Sequence, residues 1–377
     1  MNLRNLHLFN PENDLALAIG CRQYTPPPHA AALHRAGALL PAWWAEDGDM
    51  VIAPDGYDDD TLWLKSRWGI ECAITPARSS ELPAMSPQPW GWSEDARRQF
   101  IMAGMAENMI PSSDAISGMR QLSHRRTSII ILKELGEDLP LPQDVSDPDR
   151  VLSLESQSPG RYIKSPWSCS GRGVFCAEGI PSDTLRSKAE GIIRRQGCVI
   201  VEQGFDKTVD FASLFYSDGN NVSFRGLSLF YAEQRGVYTG NIVAPQDYIH
   251  DRLSETYSPS GDAFSARLSS CTSHLGHILT RLIAPHYRGW LGIDMMIYRD
   301  RQSGSLRIHP CIELNLRRTM GVAAMHIASR LGVSSPKLLT WQHTPPEGST
   351  LLAQTESTPI LPPRDNFVLT LTPLKHT

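Results

Sequence analysis

The stretch "IELNLRR", residues 312 to 318, sets a carboxylate, an amide and an arginine at alternate positions within an apolar run. Successive side chains of a β-strand point to opposite faces, so Glu313, Asn315 and Arg317 would share one face, and the aliphatic residues between them the other. Oxygens two residues apart lie about 7 Å apart along a strand, which suits one or two hard cations. The pattern favours a metal-binding strand; a solvated edge strand is the alternative.

A second strand-like segment, "GWLGIDMMIYR", places Asp294 among aliphatic residues, where an unpaired carboxylate is costly. If this segment pairs antiparallel with residues 306 to 316 around the turn at Ser303-Gly304, Asp294 faces the same side as Glu313. Asp294, Glu313 and Asn315 then form an oxygen ligand set for Mg²⁺, or for Mn²⁺, which would also take phosphate oxygens. For Asp294 alone, a salt bridge is an equal alternative.

The first place to look for a phosphate cradle is "YIKSPWSCSGRGVF". Lys164 lies on a predicted strand, and the small residues after it let a backbone approach an anion closely. These small residues are Ser168, Ser170, Gly171 and Gly173. The sequence contains no Walker P-loop motif and no Rossmann glycine motif after a strand. A plain hairpin turn remains the alternative for this loop.

A third element, "GCVIVEQGFDKTVD", is an apolar strand that ends in an acidic residue before a connector. Backbone groups of such a connector can meet the edge of an adenine ring while the strand supplies an apolar wall. Glu202 is the candidate at the strand end, and Asp210 could accept hydrogen bonds from ribose hydroxyls. Each of the two carboxylates could instead be an ordinary strand-end charge in water.

Together these segments resemble the motifs of the ATP-grasp superfamily, and they occur in the family's order. "IKSPWSCSGRGV" resembles the lysine strand and its phosphate loop, "VIVEQ" the adenine linker, "GIDMMI" the strand with a metal-binding Asp, and "IELNLRRTMG" the E-x-N-x-R terminus. The resemblance spans residues 115 to 325, approximately. It implies two α+β subdomains that grip ATP, preceded in the sequence by a small α/β domain.

The resemblance also implies a role for each candidate. Asp294, Glu313 and Asn315 would bind Mg²⁺, and Arg317 would stabilise the transferring phosphoryl group. The remaining candidates would bind ATP: Lys164 and the loop residues Ser168, Ser170, Gly171 and Gly173 at the phosphates, Glu202 at adenine and Asp210 near the ribose. The family's early phosphate-binding lysine is missing; "LSHRRTS" offers Arg125 or Arg126 instead, and a solvated helix face is an equal reading of that segment.

By this resemblance the protein is an ATP-dependent carboxylate-amine ligase that works through an acyl-phosphate and releases ADP. Two rivals stay open: a non-catalytic module that binds ATP, and phosphoryl transfer of the kinase or carboxylase type. A hydrolase is a weaker reading because no G-x-S-x-G is present. The substrates would be small molecules or peptides, with a carboxylate and an amine. Which residues contact these substrates stays open. The candidates are Arg235, Tyr238, Asn241, His286, Asn10, Glu12 and Asp14. The last three could instead cap a helix.

Composition excludes other broad classes. The 377 residues carry a formal net charge of -4, which gives no global attraction to nucleic acid or to an anionic membrane. The seven cysteines are scattered without a C-x-x-C pair, as is typical of a reducing compartment. No signal peptide and no apolar run of the roughly 20 residues needed to span a bilayer is seen. We expect a cytoplasmic protein; its oligomeric state cannot be read from the sequence.

The order of strand and helix signals predicts an α/β (α+β) fold with four segments. The predicted segments are an N-terminal α/β domain at 1–111, a first ATP-grasp subdomain at 112–201, a second with the metal site at 202–330, and a C-terminal extension at 331–377. The extension contains one clear strand, "NFVLTLT", which could belong to an edge hairpin or to a mobile tail.

Overall fold

In the computed structural model, the described residues are 3–79, 82–168, 173–232, 238–258, 262–344 and 356–374. The chain divides into two compact units. Unit 1 consists of Met1–Arg120, Thr239–Tyr248 and Arg317–Thr377, and unit 2 of Gln121–Tyr238 and Ile249–Leu316. Among the described residues, no helix is both long and apolar enough to cross a membrane.

Unit 1 begins with a parallel four-stranded sheet in the order β3-β2-β1-β4. Its strands are β1 (Arg4–Leu8), β2 (Met50–Ala53), β3 (Ala73–Pro76) and β4 (Met85–Pro89). The accompanying helices are α1 (Asn13–Ile19), α2 (Pro28–Ala36), α3 (Asp58–Trp68) and α4 (Glu94–Met102). Helix α2 starts at Pro28, because the fixed φ of proline suits the first turn of a helix.

An antiparallel sheet completes unit 1, where β11, β14, β16 and β15 are neighbours in that order. These strands are β11 (Tyr238–Val243), β14 (Lys337–His343), β15 (Thr358–Pro359) and β16 (Phe367–Pro373). Helix α11 (Met320–Leu331) joins them in one core with the parallel sheet. The predicted strand "NFVLTLT" is β16, and because Leu369 and Leu371 are buried in this core, the segment is not a loose tail.

Unit 2 contains a small antiparallel sheet in the order β5-β8-β6-β7. The strands are β5 (Gln143–Val145), β6 (Tyr162–Lys164), β7 (Val174–Cys176) and β8 (Val199–Glu202). Two helices, α7 (Pro148–Gln157) and α8 (Ser182–Gln196), bury their apolar faces against it. This sheet holds the predicted lysine strand and the predicted adenine strand side by side.

The larger sheet of unit 2 is antiparallel, in the order β13-β12-β9-β10. Its strands are β9 (Asp206–Asp218), β10 (Val222–Ala232), β12 (Arg288–Arg299) and β13 (Leu306–Asn315). The other helices are α5 (Ser113–Leu122), in which the chain passes from unit 1 to unit 2, α6 (Arg126–Leu135), α9 (Gln246–Tyr257) and α10 (Asp262–Leu282). Helix α6 packs on β13, and α10 packs on β9 and β10.

The register gives this sheet one apolar face and one polar face. Phe211, Ile293, Met295 and Leu314 share the apolar face and are at most 5% exposed. The alternate residues of the same strands lie on the opposite face. We call this opposite face the polar face; on it lie Asp210, Asp294, Met296, Tyr298, His309, Glu313 and Asn315.

Candidate functional site

The oxygen-bearing residues proposed as metal ligands lie together on the polar face of the sheet. Asp294 on β12 is directly opposite Glu313 on β13, and Gly292 is opposite Asn315, so the antiparallel hairpin is formed as predicted. Directly opposite residues of an antiparallel pair have their side chains on the same face. Glu313 keeps 21% of its side chain exposed, and Asn315 is 9% exposed. Carboxylate and amide oxygens are the donors that Mg²⁺ prefers, so this set fits a hard divalent cation.

A bulge in β13 separates this carboxylate pair from the next pair along the hairpin. From Asp294 to Met296 the chain advances two residues on β12, while the facing residues change from Glu313 to His309. The backbone N–H of Leu314, beside the bulge, donates to Ser128 Oγ on α6 at 3.1 Å. The extra β13 residues re-aim the side chains on either side of them, as bulges commonly do near functional sites.

Arg125, which is 7% exposed, connects the carboxylate pair to the predicted phosphate loop. Its Nη1 lies 2.6 Å from Glu313 Oε2, its Nη2 donates to Ser168 Oγ at 3.0 Å, and its Nε donates to the Ser165 carbonyl at 2.9 Å. A buried guanidinium needs such partners because an unpaired buried charge is very costly. Arg125 is therefore a buried structural cation beside Glu313 of the polar face and not part of a solvated helix surface.

The loop that follows β6 is closed at its base by Gly173. The Ser165 N–H donates to the Gly173 carbonyl at 2.8 Å. Gly173 has a φ of 77°, and a Cβ there would lie 2.6 Å from Ser165 Oγ, so only glycine fits. Two of the predicted phosphate-binding residues, Ser170 and Gly171, lie outside the described residues.

The residues predicted to bind the nucleoside also lie within unit 2. Lys164 and Glu202, from neighbouring strands, form an ion pair in which the lysine side chain is 7% exposed. Asp210 pairs with Lys207 on the polar face. The structure therefore brings Lys164 to the carboxylate predicted for adenine. Its contact with phosphates remains a prediction, as do those of Glu202 with adenine and of Asp210 with ribose.

Arg317 belongs to unit 1 and has its observed partner there. Its Nη2 lies 2.8 Å from Asp14 Oδ2, and an isolated bridge joins its backbone to Gly91. The neighbouring Arg318 is 8% exposed and lies 5.0 Å over the ring of Trp44. A role for Arg317 at the transferring phosphoryl group remains a prediction.

The N-terminal "NPEND" residues do not act as side-chain caps of α1. Glu12 occupies the cap position but makes no cap hydrogen bond, and its Oε1 lies 2.8 Å from His34 Nδ1. Asn10 instead bonds the backbone of the segment after β4: its Oδ1 accepts from the Trp90 N–H at 3.0 Å, and its Nδ2 donates to the Gly91 carbonyl at 2.9 Å. The capping alternative is therefore wrong: Glu12 contacts α2, and Asn10 bonds the segment after β4.

The other residues considered for substrate contacts are scattered. Asn241 is buried in β11, His286 is exposed after α10, and Arg235 lies outside the described residues. Burial raises the pKa of the Tyr238 hydroxyl, so this group stays protonated. Within the described part of each unit, no group of these candidates forms a cluster that would mark a substrate site.

One cluster in unit 2 has metal-ligand types without suiting a metal. Ligand atoms of His124, Asp144 and Cys198 lie within 4.8 Å of one another. However, the Arg126 N–H donates to His124 Nδ1 at 3.0 Å, so in the neutral ring Nε2 carries the proton that faces Cys198 Sγ at 3.6 Å. A metal would need the Nε2 lone pair, which this proton occupies. Burial, and after it Asp144, raises the pKa of the Cys198 thiol to about 12, which disfavours the thiolate that binds metals. The cluster is a hydrogen-bonded chain.

His309 gives the fold a pH dependence that can be measured. Burial, reinforced by Lys164, lowers the pKa of His309 to about 3, against an ordinary value of 6.5. Below pH 6.5 the unfolded chain therefore binds a proton that the folded chain excludes, and stability falls as the pH decreases towards 3. We expect a loss of about 1.4 kcal/mol per pH unit from this group.

Urea unfolding of the wild type and of His309→Leu between pH 7 and pH 4.5 checks this expectation. The variant should lose less stability on acidification, and the difference between the two proteins should grow with each pH unit. Parallel pH curves would show that His309 titrates normally in the folded protein. His326 has the same sign, because burial, followed by Arg318 and His7, lowers its pKa to about 4, so His326→Leu provides a second curve.

Unit 2 contains a buried lysine–glutamate pair, a face with carboxylates and a buried arginine that contacts Ser168. The fold around them is similar to that of solved structures, in agreement with the fold that the ATP-grasp resemblance implies. No protein-family model matches the sequence, and no curated protein matches it either. Solved structures do match, at probability 1.00. Their low sequence identity makes this a likeness of fold.

Three of these structures span nearly the whole chain. N5-carboxyaminoimidazole synthetase from Staphylococcus aureus, complexed with ADP, has a TM-score of 0.52 at 11% identity and covers 100% of this chain and 95% of its own. Biotin carboxylase from Campylobacter jejuni, in a β,γ-ATP complex, has 0.53 at 13%, covering 98% and 87%. N5-carboxyaminoimidazole synthase from Aspergillus clavatus, with ADP and 5-aminoimidazole ribonucleotide, has 0.51 at 11%, covering 99% and 94%.

Proposed function

We propose that this protein is an ATP-dependent ligase that joins a carboxylate to an amine and forms ADP. The observation that carries the proposal is the polar face of unit 2, where Asp294 and Glu313 are paired across the hairpin with Asn315 beside them. An oxygen donor set of this kind suits Mg²⁺, or Mn²⁺, together with nucleotide phosphates. The ADP and ATP complexes among the similar structures support a nucleotide site on this fold.

In this proposal each part of unit 2 has a task. Asp294, Glu313 and Asn315 would hold the cation, which when bound neutralises charge on the phosphates. Arg125 and Lys164 add fixed positive charge, and Glu202 and Asp210 would bind the nucleoside. The loop that ends at Gly173 would keep water from the reactive intermediate, because acyl-phosphates hydrolyse. We further propose residues 112–201 and 202–330 as the two nucleotide-holding subdomains, and the cytoplasm as the compartment.

The proposed reaction has two steps. A carboxylate oxygen of the substrate attacks the γ-phosphorus of ATP, and the bond to the β-phosphate oxygen breaks, giving an acyl-phosphate and ADP. The amine nitrogen then attacks the acyl carbon, loses a proton and expels inorganic phosphate. Positive charge placed where the negative charge develops is the main catalytic contribution expected of the protein, and Arg317 is the residue we propose for it.

The test is ADP release by the purified full chain with Mg²⁺ and ATP across a panel of amino acids, short peptides and bicarbonate. Release that requires both a carboxylate and an amine supports the ligase. Release with bicarbonate alone would assign phosphoryl transfer of the carboxylase type. ATP binding with no release for any member of the panel would favour a regulatory module, and absence of ATP binding would remove the proposal altogether.

A further inference from the structure

The polar face of the larger sheet in unit 2 carries a buried histidine that the proposed function has not used. His309 on β13 lies opposite Met296 on β12. Asp294, two residues before Met296, lies opposite Glu313. Two residues of strand correspond to about 7 Å. His309 and the proposed cation ligands therefore occupy neighbouring positions along one face, with the cation ligands nearer the end of β13.

His309 is surrounded by residues of the part of the site that is proposed to bind the adenine base. Its ring packs edge-on against Phe205, in the connector after β8, with 5.0 Å between ring centroids. Phe205 in turn packs on Tyr298 at 4.8 Å. The charge of Lys164, which pairs with Glu202, acts on His309 and, after burial, helps to lower its pKa. At neutral pH the imidazole is uncharged and has one N–H donor and one acceptor nitrogen.

His309 is an expensive residue for a purely structural position. It is 3% exposed, and its Nδ1 is buried without a hydrogen-bond partner in the part of the chain that the structure describes. A buried polar atom left unpaired destabilises the fold, and an aliphatic residue of similar size would avoid that cost. A local cost of this kind is expected where a residue serves binding.

We propose that His309 contacts the base of the bound nucleotide and contributes to the preference for a purine, an inference that rests on the proposed function. A purine edge offers ring nitrogens that accept and exocyclic groups that donate or accept hydrogen bonds, and a neutral imidazole can match either kind. The base would supply the missing partner for Nδ1. Phe205, which itself packs on Tyr298, holds the imidazole in place for this contact.

The test compares nucleotide binding by the wild type, His309→Leu and His309→Asn, by calorimetry with Mg²⁺ and ATP, GTP or CTP. His309→Leu should weaken ATP binding about tenfold, the size expected for one lost hydrogen bond. It should also reduce the advantage of ATP over CTP by about the same factor. Asparagine places an amide near the position of Nδ1, so His309→Asn should keep most of that advantage. Without nucleotide, His309→Leu should have an equal or higher Tm.

The control is His326→Leu, because His326 is a half-buried histidine of unit 1 whose pKa is also lowered by burial. This variant should keep the ratio of ATP to CTP affinity. If His309→Leu keeps the wild-type ratio, or weakens all three nucleotides equally, His309 does not contact the base and the inference fails while the nucleotide site stands. If the wild type binds none of the three, the proposed function fails together with the inference.

Discussion

Asp294→Asn is expected to lower the kcat for ADP release by about 10²- to 10³-fold, the range seen when one group that stabilises developing charge is removed. Asparagine keeps the size and one oxygen of the side chain but removes the negative charge, which is the property that a divalent cation needs. The side chain shares the polar face with Glu313, directly opposite it. The measurement is ADP release with the substrate pair that the panel identifies.

Glu255→Gln is the matched control for this variant, because Glu255 is a carboxylate of unit 2 whose side chain is 66% exposed on α9. It should leave kcat within a factor of two of the wild type. Raising the Mg²⁺ concentration should recover part of the activity of Asp294→Asn if the defect is in cation binding. Activity equal to that of the wild type at low Mg²⁺ would rule out Asp294 as a ligand and weaken the ligase proposal.

The sequence was sufficient to predict the hairpin that carries the carboxylates. Alternation between polar and apolar residues at 312–317 determines which side chains share a face. Asp294 lies within an apolar segment, and because an unpaired buried carboxylate is costly, its side chain is expected to face polar surroundings. The turn at Ser303-Gly304 then determines which segments pair. These signals are local, and local signals were enough to identify a strand face that bears carboxylate and amide side chains.

Contacts between distant parts of the chain could not be predicted in this way. Arg125 lies 188 residues from Glu313 in the sequence, and Arg317 lies 303 residues from Asp14. Alternation also cannot reveal the bulge in β13, because the bulge changes which residues face each other without changing the residue types. The same alternation does not single out His309, although a histidine within a predicted strand near "IELN" is a signal that the sequence does contain.

Helix α11, in contrast, carries its start and stop signals within its own sequence. Thr319 caps it by accepting from the Val322 N–H at 3.4 Å, and Gly332 ends it with a φ of 56°. Both signals can be read in "RTMGVAAMHIASRLG". The helix follows directly after the strand that bears Glu313 and Asn315, and its start and end are determined by local sequence signals.

The second large effect is expected on stability, from Arg125→Met. The guanidinium contacts Glu313, Ser165 and Ser168, and its removal leaves a carboxylate that is only 21% exposed without this cation. Breaking a buried ion pair by removal of one partner typically costs about 3–5 kcal/mol. Because Glu313 retains some exposure, we expect the free energy of unfolding to fall by about 3 kcal/mol. Urea unfolding without nucleotide and without Mg²⁺ measures this change.

A double-mutant cycle with Glu313→Gln separates the ion pair from the other bonds of Arg125. The double variant should be more stable than the sum of the single effects predicts, by about 1–3 kcal/mol, since neither charge is then left alone. The exposed pair Arg252 and Glu255, at 3.2 Å in the same unit, provides the matched cycle, with an expected coupling below about 1 kcal/mol. Additive effects at Arg125 and Glu313 would contradict a buried pair.

Repeating the double-mutant cycle with Mg²⁺ tests whether the cation binds beside Arg125, at Glu313. A divalent cation bound at Glu313 supplies the positive charge that Arg125→Met removes, so Mg²⁺ should raise the unfolding free energy of this variant more than that of the wild type. Arg125→Met/Glu313→Gln should respond least, because the carboxylate is gone. An equal response of all four proteins would place the cation elsewhere. Arg125 would then be a structural residue of the fold and not the neighbour of a metal site.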